Sequence, residues 1–141
     1  MCSSDLVEEG KAIVGHVGDS RAYLWRKGTL KQLTRDHSVI EELKRSGGIT
    51  EDEAKNHPHR NLLTRALGTP GKVEVDILEV RVKEGERILL CTDGLTSMLE
   101  DPEIAEIMGK DLSPQTLATI LVERANEMGG IDNITVMVIF I

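Results

Sequence analysis

The chain has 141 residues, 40% hydrophobic and 29% charged, with 17 Lys and Arg against 24 Asp and Glu for a net charge of -7. That length supports one core, and the acidic balance excludes a partner gripped through its phosphate backbone, so no nucleic-acid ligand is expected. No apolar run approaches the ~18 residues of a membrane span and no basic-then-apolar leader opens the chain, so no membrane partner and a cytoplasmic address are expected. Two cysteines, Cys2 and Cys91, are too few for a disulfide framework and are not spaced as zinc ligands, which fits a reducing compartment.

In chain order, residues 1–6 lack apolar alternation and are not expected to pair with the strand that follows; residues 1–10 read as a foreign or partial leader. Ala12, Val14, His16 and Gly18 alternate with Ile13, Gly15 and Val17, and a second apolar run covers 22–25. Two antiparallel strands joined at Gly18-Asp19-Ser20-Arg21 are expected. Lys27-Gly28 then turns the chain into a short strand over 30–34. Ser38 with Glu41 predicts a capping box and a helix carrying Val39, Ile40 and Leu43 inward, stopped by Gly47-Gly48. Thr50 with Glu53 repeats the device, and His57-Pro58 ends that helix. Residues 38–60 thus form a polar helical insert between strands.

A long strand is expected over 73–82, and 87–91 reads as a strand buried on both faces. The chain breaks at Asp93-Gly94. Asp101 before Pro102 opens a helix with Ile104, Ile107 and Met108 on one face. Ser113 before Pro114 opens another along Leu117, Leu121, Ala125 and Met128, closed by Gly129-Gly130. A last strand covers 133–141. The fold class is α+β, with helices layered on mainly antiparallel sheets.

Three aspartates stand at predicted strand ends: Asp19, Asp93 and Asp132. Each also fits an ordinary turn, since Asp-Gly and Asp-Asn are common turn pairs. Brought together they would repel, and a divalent cation would neutralise them; all-oxygen ligands favour Mg²⁺ or Mn²⁺. His16 lies mid-strand and His37 precedes a helix, so neither is expected in direct chemistry. Cys91 reads as a packed small hydrophobe, with no helix N-terminus expected beside it. Arg21 is expected to pair with a carboxylate such as Asp19 rather than bind phosphate. An aspartyl-nucleophile phosphotransferase would need a second acid two residues from Asp93, where Cys91 and Leu95 stand.

Gly15-His16-Val17-Gly18-Asp19-Ser20-Arg21-Ala22-Tyr23, Leu33-Thr34-Arg35-Asp36-His37-Ser38, Leu89-Leu90-Cys91-Thr92-Asp93-Gly94-Leu95 and Gly130-Ile131-Asp132-Asn133-Ile134-Thr135, in that order, resemble the bacterial metal-dependent type 2C Ser/Thr protein phosphatases, the PPM family. The resemblance covers 11–141 and implies part of a four-layer αββα sandwich. It implies hydrolysis of phosphoserine and phosphothreonine in proteins by a hydroxide bridging two Mn²⁺ or Mg²⁺ ions about 4 Å apart. Asp93 and Asp132 would be ligands of that centre and Asp19 a ligand of a third, weaker metal, with Gly94, Asn133 and Arg21 in support. Residues 38–60 would match a mobile flap facing substrate, with Ser38, His57, His59 and Arg60 on it.

The family's acidic opening segment and its Asp-Gly-Met/His-Gly-Gly motif are not found, since Asp93-Gly94 is the sole Asp-Gly here. The expectation is therefore a C-terminal part of the catalytic domain, without the bridging aspartate and inactive alone. Phosphoprotein substrates, an opposing Ser/Thr kinase and a monomeric full-length protein are implied as well. The competing reading is a catalytically dead, phosphatase-like binding module, against which the three retained aspartates speak.

Overall fold

A computed structural model describes residues 2–8 and 10–141. In chain order it has β1 (Cys2–Glu8), β2 (Lys11–Val17), β3 (Arg21–Arg26), β4 (Thr29–Gln32), α1 (Val39–Arg45), α2 (Glu51–Lys55), β5 (Asp76–Arg81), β6 (Arg87–Cys91), α3 (Asp93–Thr96), α4 (Asp101–Met108), α5 (Pro114–Glu127) and β7 (Val136–Phe140). The strands form two antiparallel sheets, ordered β1-β2-β5 and β4-β3-β6-β7.

Two expectations about strand pairing need correction. The opening residues do pair: β1 runs antiparallel to β2, from Cys2 opposite Val17 to Glu8 opposite Lys11. Main-chain hydrogen bonds make such a ladder, so a lack of apolar alternation does not prevent it. Nor are β2 and β3 a hairpin, because β2 pairs with β1 and β5 while β3 pairs with β4 and β6. The Gly18–Ser20 link carries the chain from one sheet to the other, and Gly18 at φ 108 takes a conformation few other residues tolerate. Alternation fixes which face a strand buries, not which neighbour it takes.

The sheets pack face to face through Ala12, Leu24, Val82 and Ile88, with Leu90 and Ile139 beside them. The opposite face of the second sheet carries Tyr23, Leu89 and Cys91 against Leu95, Ile104, Met108, Leu117, Leu121 and Ala125 of α3, α4 and α5. Fully burying each large apolar side chain stabilises by about 1.5–3 kcal/mol, so this helix layer is the main core. The described residues thus give three successive layers: sheet, sheet and helices. On the outer face of the first sheet, Ile13 is 37% and Ile77 67% exposed.

The caps follow the sequence with local differences. Thr50 and Glu53 form the capping box of α2, and Ser113 caps α5 ahead of Pro114. Ser38 accepts from the Glu41 amide, while the Glu41 carboxylate pairs with Lys44, so among the described residues α1 has only the first half of the box. Gly47 and Gly48 end α1 by donating to the Lys44 and Leu43 carbonyls, the pattern that closes a helix through a left-handed glycine. Val39, Ile40 and Leu43 are only partly buried, because α1 packs chiefly against short α2. Met128 caps α5 and is exposed rather than packed. Residues 73–75 and 133–135 lie outside the strands expected there. No helix of the described residues is long and apolar enough to cross a membrane.

Candidate metal centre

Strand register brings two of the three aspartates together. Arg21 of β3 lies opposite Cys91 of β6, and carrying that register on by two residues sets Asp19 opposite Asp93. Asp19 follows the sheet crossing, and Asp93 opens α3 after Thr92. A helix therefore does begin two residues beyond Cys91, which was not expected. The thiol is unaffected by it: burial pushes its pKa up to about 12, and Cys91 remains an inert packed residue.

Asp19 is the outlier. Its Oδ1 is buried without a hydrogen-bond partner. Burial, then the charges of Asp93 and Asp36, raise its pKa from 3.8 to about 6. An unsatisfied, buried carboxylate oxygen facing other carboxylates is what a cation would relieve. Its hard oxygen donor suits Mg²⁺ or Mn²⁺, so the residues present fit such an ion.

Asp132 lies on the neighbouring loop, which Thr92 and Gly94 hold. Thr92 donates its hydroxyl to the Asn133 carbonyl at 3.3 Å and accepts from the Thr135 amide at 3.0 Å. A Cβ added to Gly94 would meet the Asn133 carbonyl oxygen at 2.2 Å, so only glycine admits this approach. Asp132 itself is exposed, and its Oδ1 accepts from the Asn133 amide at 2.7 Å. Among the described residues no three His, Cys, Asp or Glu are gathered to hold a metal. Asp19 and Asp93 are close, and Asp132 stands one residue before the Asn133 carbonyl that Gly94 approaches.

Arg21 does not reach Asp19. Its guanidinium takes Asp36 in a two-pronged ion pair at 2.8 and 3.0 Å and donates to the Tyr23 hydroxyl at 3.0 Å. Asp36 is thus a neighbour of the site that sequence reasoning missed, although it stands inside the Arg35-Asp36-His37-Ser38 motif. Ser38 is the buried N-cap of α1. His57, His59 and Arg60 form one turn: the His59 amide donates to His57 Nδ1, the rings lie 5.6 Å apart, and the Arg60 amide donates to the His57 carbonyl.

His16 and His37, neither expected in direct chemistry, are both buried, with ring centroids 4.7 Å apart. His16 Nε2 donates to the Arg35 carbonyl at 2.9 Å, and burial lowers its pKa. His37 Nε2 lies 2.9 Å from Asp76, which also pairs with Arg65 at 2.9 Å. These partners are 39 and 11 residues apart along the chain, and no sequence pattern links them.

This layering of two antiparallel sheets under helices is that of the PPM phosphatase fold. The chain belongs to the protein phosphatase 2C family, whose model matches residues 2–134. It is 43% identical over 134 residues to a serine/threonine phosphatase, stp, of Listeria welshimeri, covering 95% of this chain and 53% of that protein. The solved serine/threonine phosphatase of S. agalactiae superposes with a TM-score of 0.96 at 35% identity, covering 99% of this chain and 57% of that one. The catalytic domain of PstP, solved with two manganese ions, superposes with a TM-score of 0.86 at 36% identity, covering 96% and 56%. The chain therefore spans about half the length of the relatives it matches.

Proposed function

We propose that the chain, β1 included, forms the C-terminal part of a catalytic domain that removes phosphate from phosphoserine and phosphothreonine in proteins. The observation that carries this reading is the buried, unpartnered Asp19 Oδ1 beside Asp93, in a chain of the protein phosphatase 2C family. Asp93 and Asp132 would hold Mn²⁺ or Mg²⁺ of a two-metal centre, and Asp19 a third ion. When bound, the ions supply charge neutralisation and lower the pKa of a water.

The chain's own residues prepare for this. Asp19 and Asp93 concentrate negative charge at the strand ends, and Gly94 lets the 132–133 loop lie against α3. Asp36 occupies Arg21, which keeps the guanidinium from neutralising Asp19. Thr92 fixes the Asn133 carbonyl, which makes Asn133 a loop-setting residue. Residues 38–60, with Ser38, His57, His59 and Arg60, would govern the choice of protein substrate. The partners would be phosphoproteins and an opposing Ser/Thr kinase, for a cytoplasmic monomer at full length.

The test uses the protein completed by its upstream reading frame. Asp132→Ala should abolish Mn²⁺-dependent hydrolysis of p-nitrophenyl phosphate; activity within about tenfold of the parent would remove Asp132 from the ligands. A catalytically dead binding module predicts no hydrolysis by the parent either.

A further inference from the structure

The mechanism above leaves His37 without a role, yet it touches the metal-site turn and the root of the helical segment at once. Both main-chain polar groups of Gly18 end on it. The His37 amide donates to the Gly18 carbonyl at 2.7 Å, and the Gly18 amide donates to His37 Nδ1 at 3.1 Å in a buried bond. An amide only donates, so Nδ1 is the unprotonated nitrogen and Nε2 carries the hydrogen toward Asp76. Gly18 precedes Asp19 and sits at φ 108, so the ring fixes the turn that aims the Asp19 carboxylate.

The other side of His37 belongs to the helical segment. The Thr64 amide donates to the His37 carbonyl at 2.8 Å, Ser38 bridges Leu63, and the Val39 amide donates to the Leu62 carbonyl. One residue beyond Thr64, Arg65 clamps the Asp76 carboxylate that receives His37 Nε2. Entry and exit of the segment spanning α1 and α2 thus meet at His37, through its main chain and, by way of Asp76 and Arg65, its ring.

We propose that His37 is a positioning residue that ties the Gly18–Asp19 turn to the root of the α1–α2 segment, so that displacement of this segment moves Asp19. That this turn presents a metal ligand rests on the function proposed above; the tie itself does not.

Residue-resolved hydrogen–deuterium exchange on the metal-free, full-length protein tests the tie. In His37→Asn the amide oxygen stands where Nδ1 stood and accepts from Gly18, while the Asp76 bond is lost. In His37→Gln the nitrogen reaches Asp76 but nothing accepts from Gly18. Exchange at Gly18 should speed at least about tenfold in His37→Gln and stay within about threefold of the parent in His37→Asn, with Leu89 of β6 unchanged in both. Equal behaviour of the two variants, or no change at Gly18 in His37→Gln, overturns the proposal. Arg65→Met, which removes a partly exposed guanidinium that pairs with Asp76 and Glu74 and lies 3.3 Å from His37 Nε2, covers the case in which the histidine variants do not fold. It should speed Gly18 exchange at least about threefold, and no effect there overturns the proposal too. Exchange of the parent at Asp19 with and without Mn²⁺ is a separate arm: no protection by the ion removes Asp19 as a ligand and leaves the tie to be judged on the metal-free comparison.

Discussion

Asp19→Asn should stabilise the metal-free protein at pH 8 and leave it nearly unchanged at pH 4. The folded protein raises the Asp19 pKa from 3.8 to about 6, mainly through burial and the facing charges of Asp93 and Asp36. A carboxyl whose folded pKa is raised binds its proton more tightly when folded, so its ionisation opposes folding. The penalty is absent below pH ~4, grows between pH ~4 and ~6, and is complete above. Two pH units correspond to at most about 3 kcal/mol, and solvent reaching the partly buried side chain reduces this to on the order of 1–2 kcal/mol. Asparagine keeps the shape and removes the charge. For a chain of this length the gain is a rise in melting temperature of about 3–8 °C. Thermal unfolding in EDTA at pH 8 and pH 4, parent against variant, measures it. With saturating Mn²⁺ at pH 8 the order should reverse, since the parent then gains the stabilisation of a bound ion. A variant less stable than the parent in EDTA at pH 8, or an equal gain at both pH values, would refute the charge argument.

Gly94→Ala should cost about 3 kcal/mol in urea unfolding, because the new methyl would meet the Asn133 carbonyl at 2.2 Å and must push the 132–133 loop away. Wild-type stability would show that the loop yields freely. Exchanging residues 38–60 for those of a relative should alter rates on phosphopeptides more than on p-nitrophenyl phosphate, since the segment contributes none of the proposed ligands; the reverse pattern contradicts its substrate role. Residues 1–141 alone should bind Mn²⁺ only weakly, in the millimolar range as an order of magnitude, and show no measurable turnover. Turnover on the order of 1 per second by the purified chain would contradict this.

Much of the fold was legible because its signals are local. Ser113-Pro114 and the Thr50–Glu53 box announced helix starts, and the apolar run over 87–91 announced a buried central strand. Partner choice was not legible, since the alternation in 11–17 fits a hairpin with β3 as well as the observed pairing with β1 and β5. The same limit applied to the site. Asp19 and Asp93 were read from their strand-end positions, but their apposition depends on the β3–β6 register. Arg21 was assigned the nearest carboxylate in sequence, whereas the folded sheet offers Asp36. The His37–Asp76–Arg65 cluster had no signal in spacing, because sheet pairing and the return of the helical segment assemble it.

The single tryptophan gives this fold a built-in reporter. Trp25 donates its indole N–H to the Ala105 carbonyl of α4 at 3.0 Å, and the Arg87 guanidinium lies 5.0 Å above its ring. Arg87 in turn donates to the Met108 carbonyl, which ends the same helix, and to the Lys110 carbonyl just beyond it. Detaching α4 from the sheet would expose the indole to water and separate it from the cation together. The emission maximum and intensity of one native fluorophore therefore follow the helix layer without any label, while β1, β2 and β5 lie in the other sheet and stay dark to it.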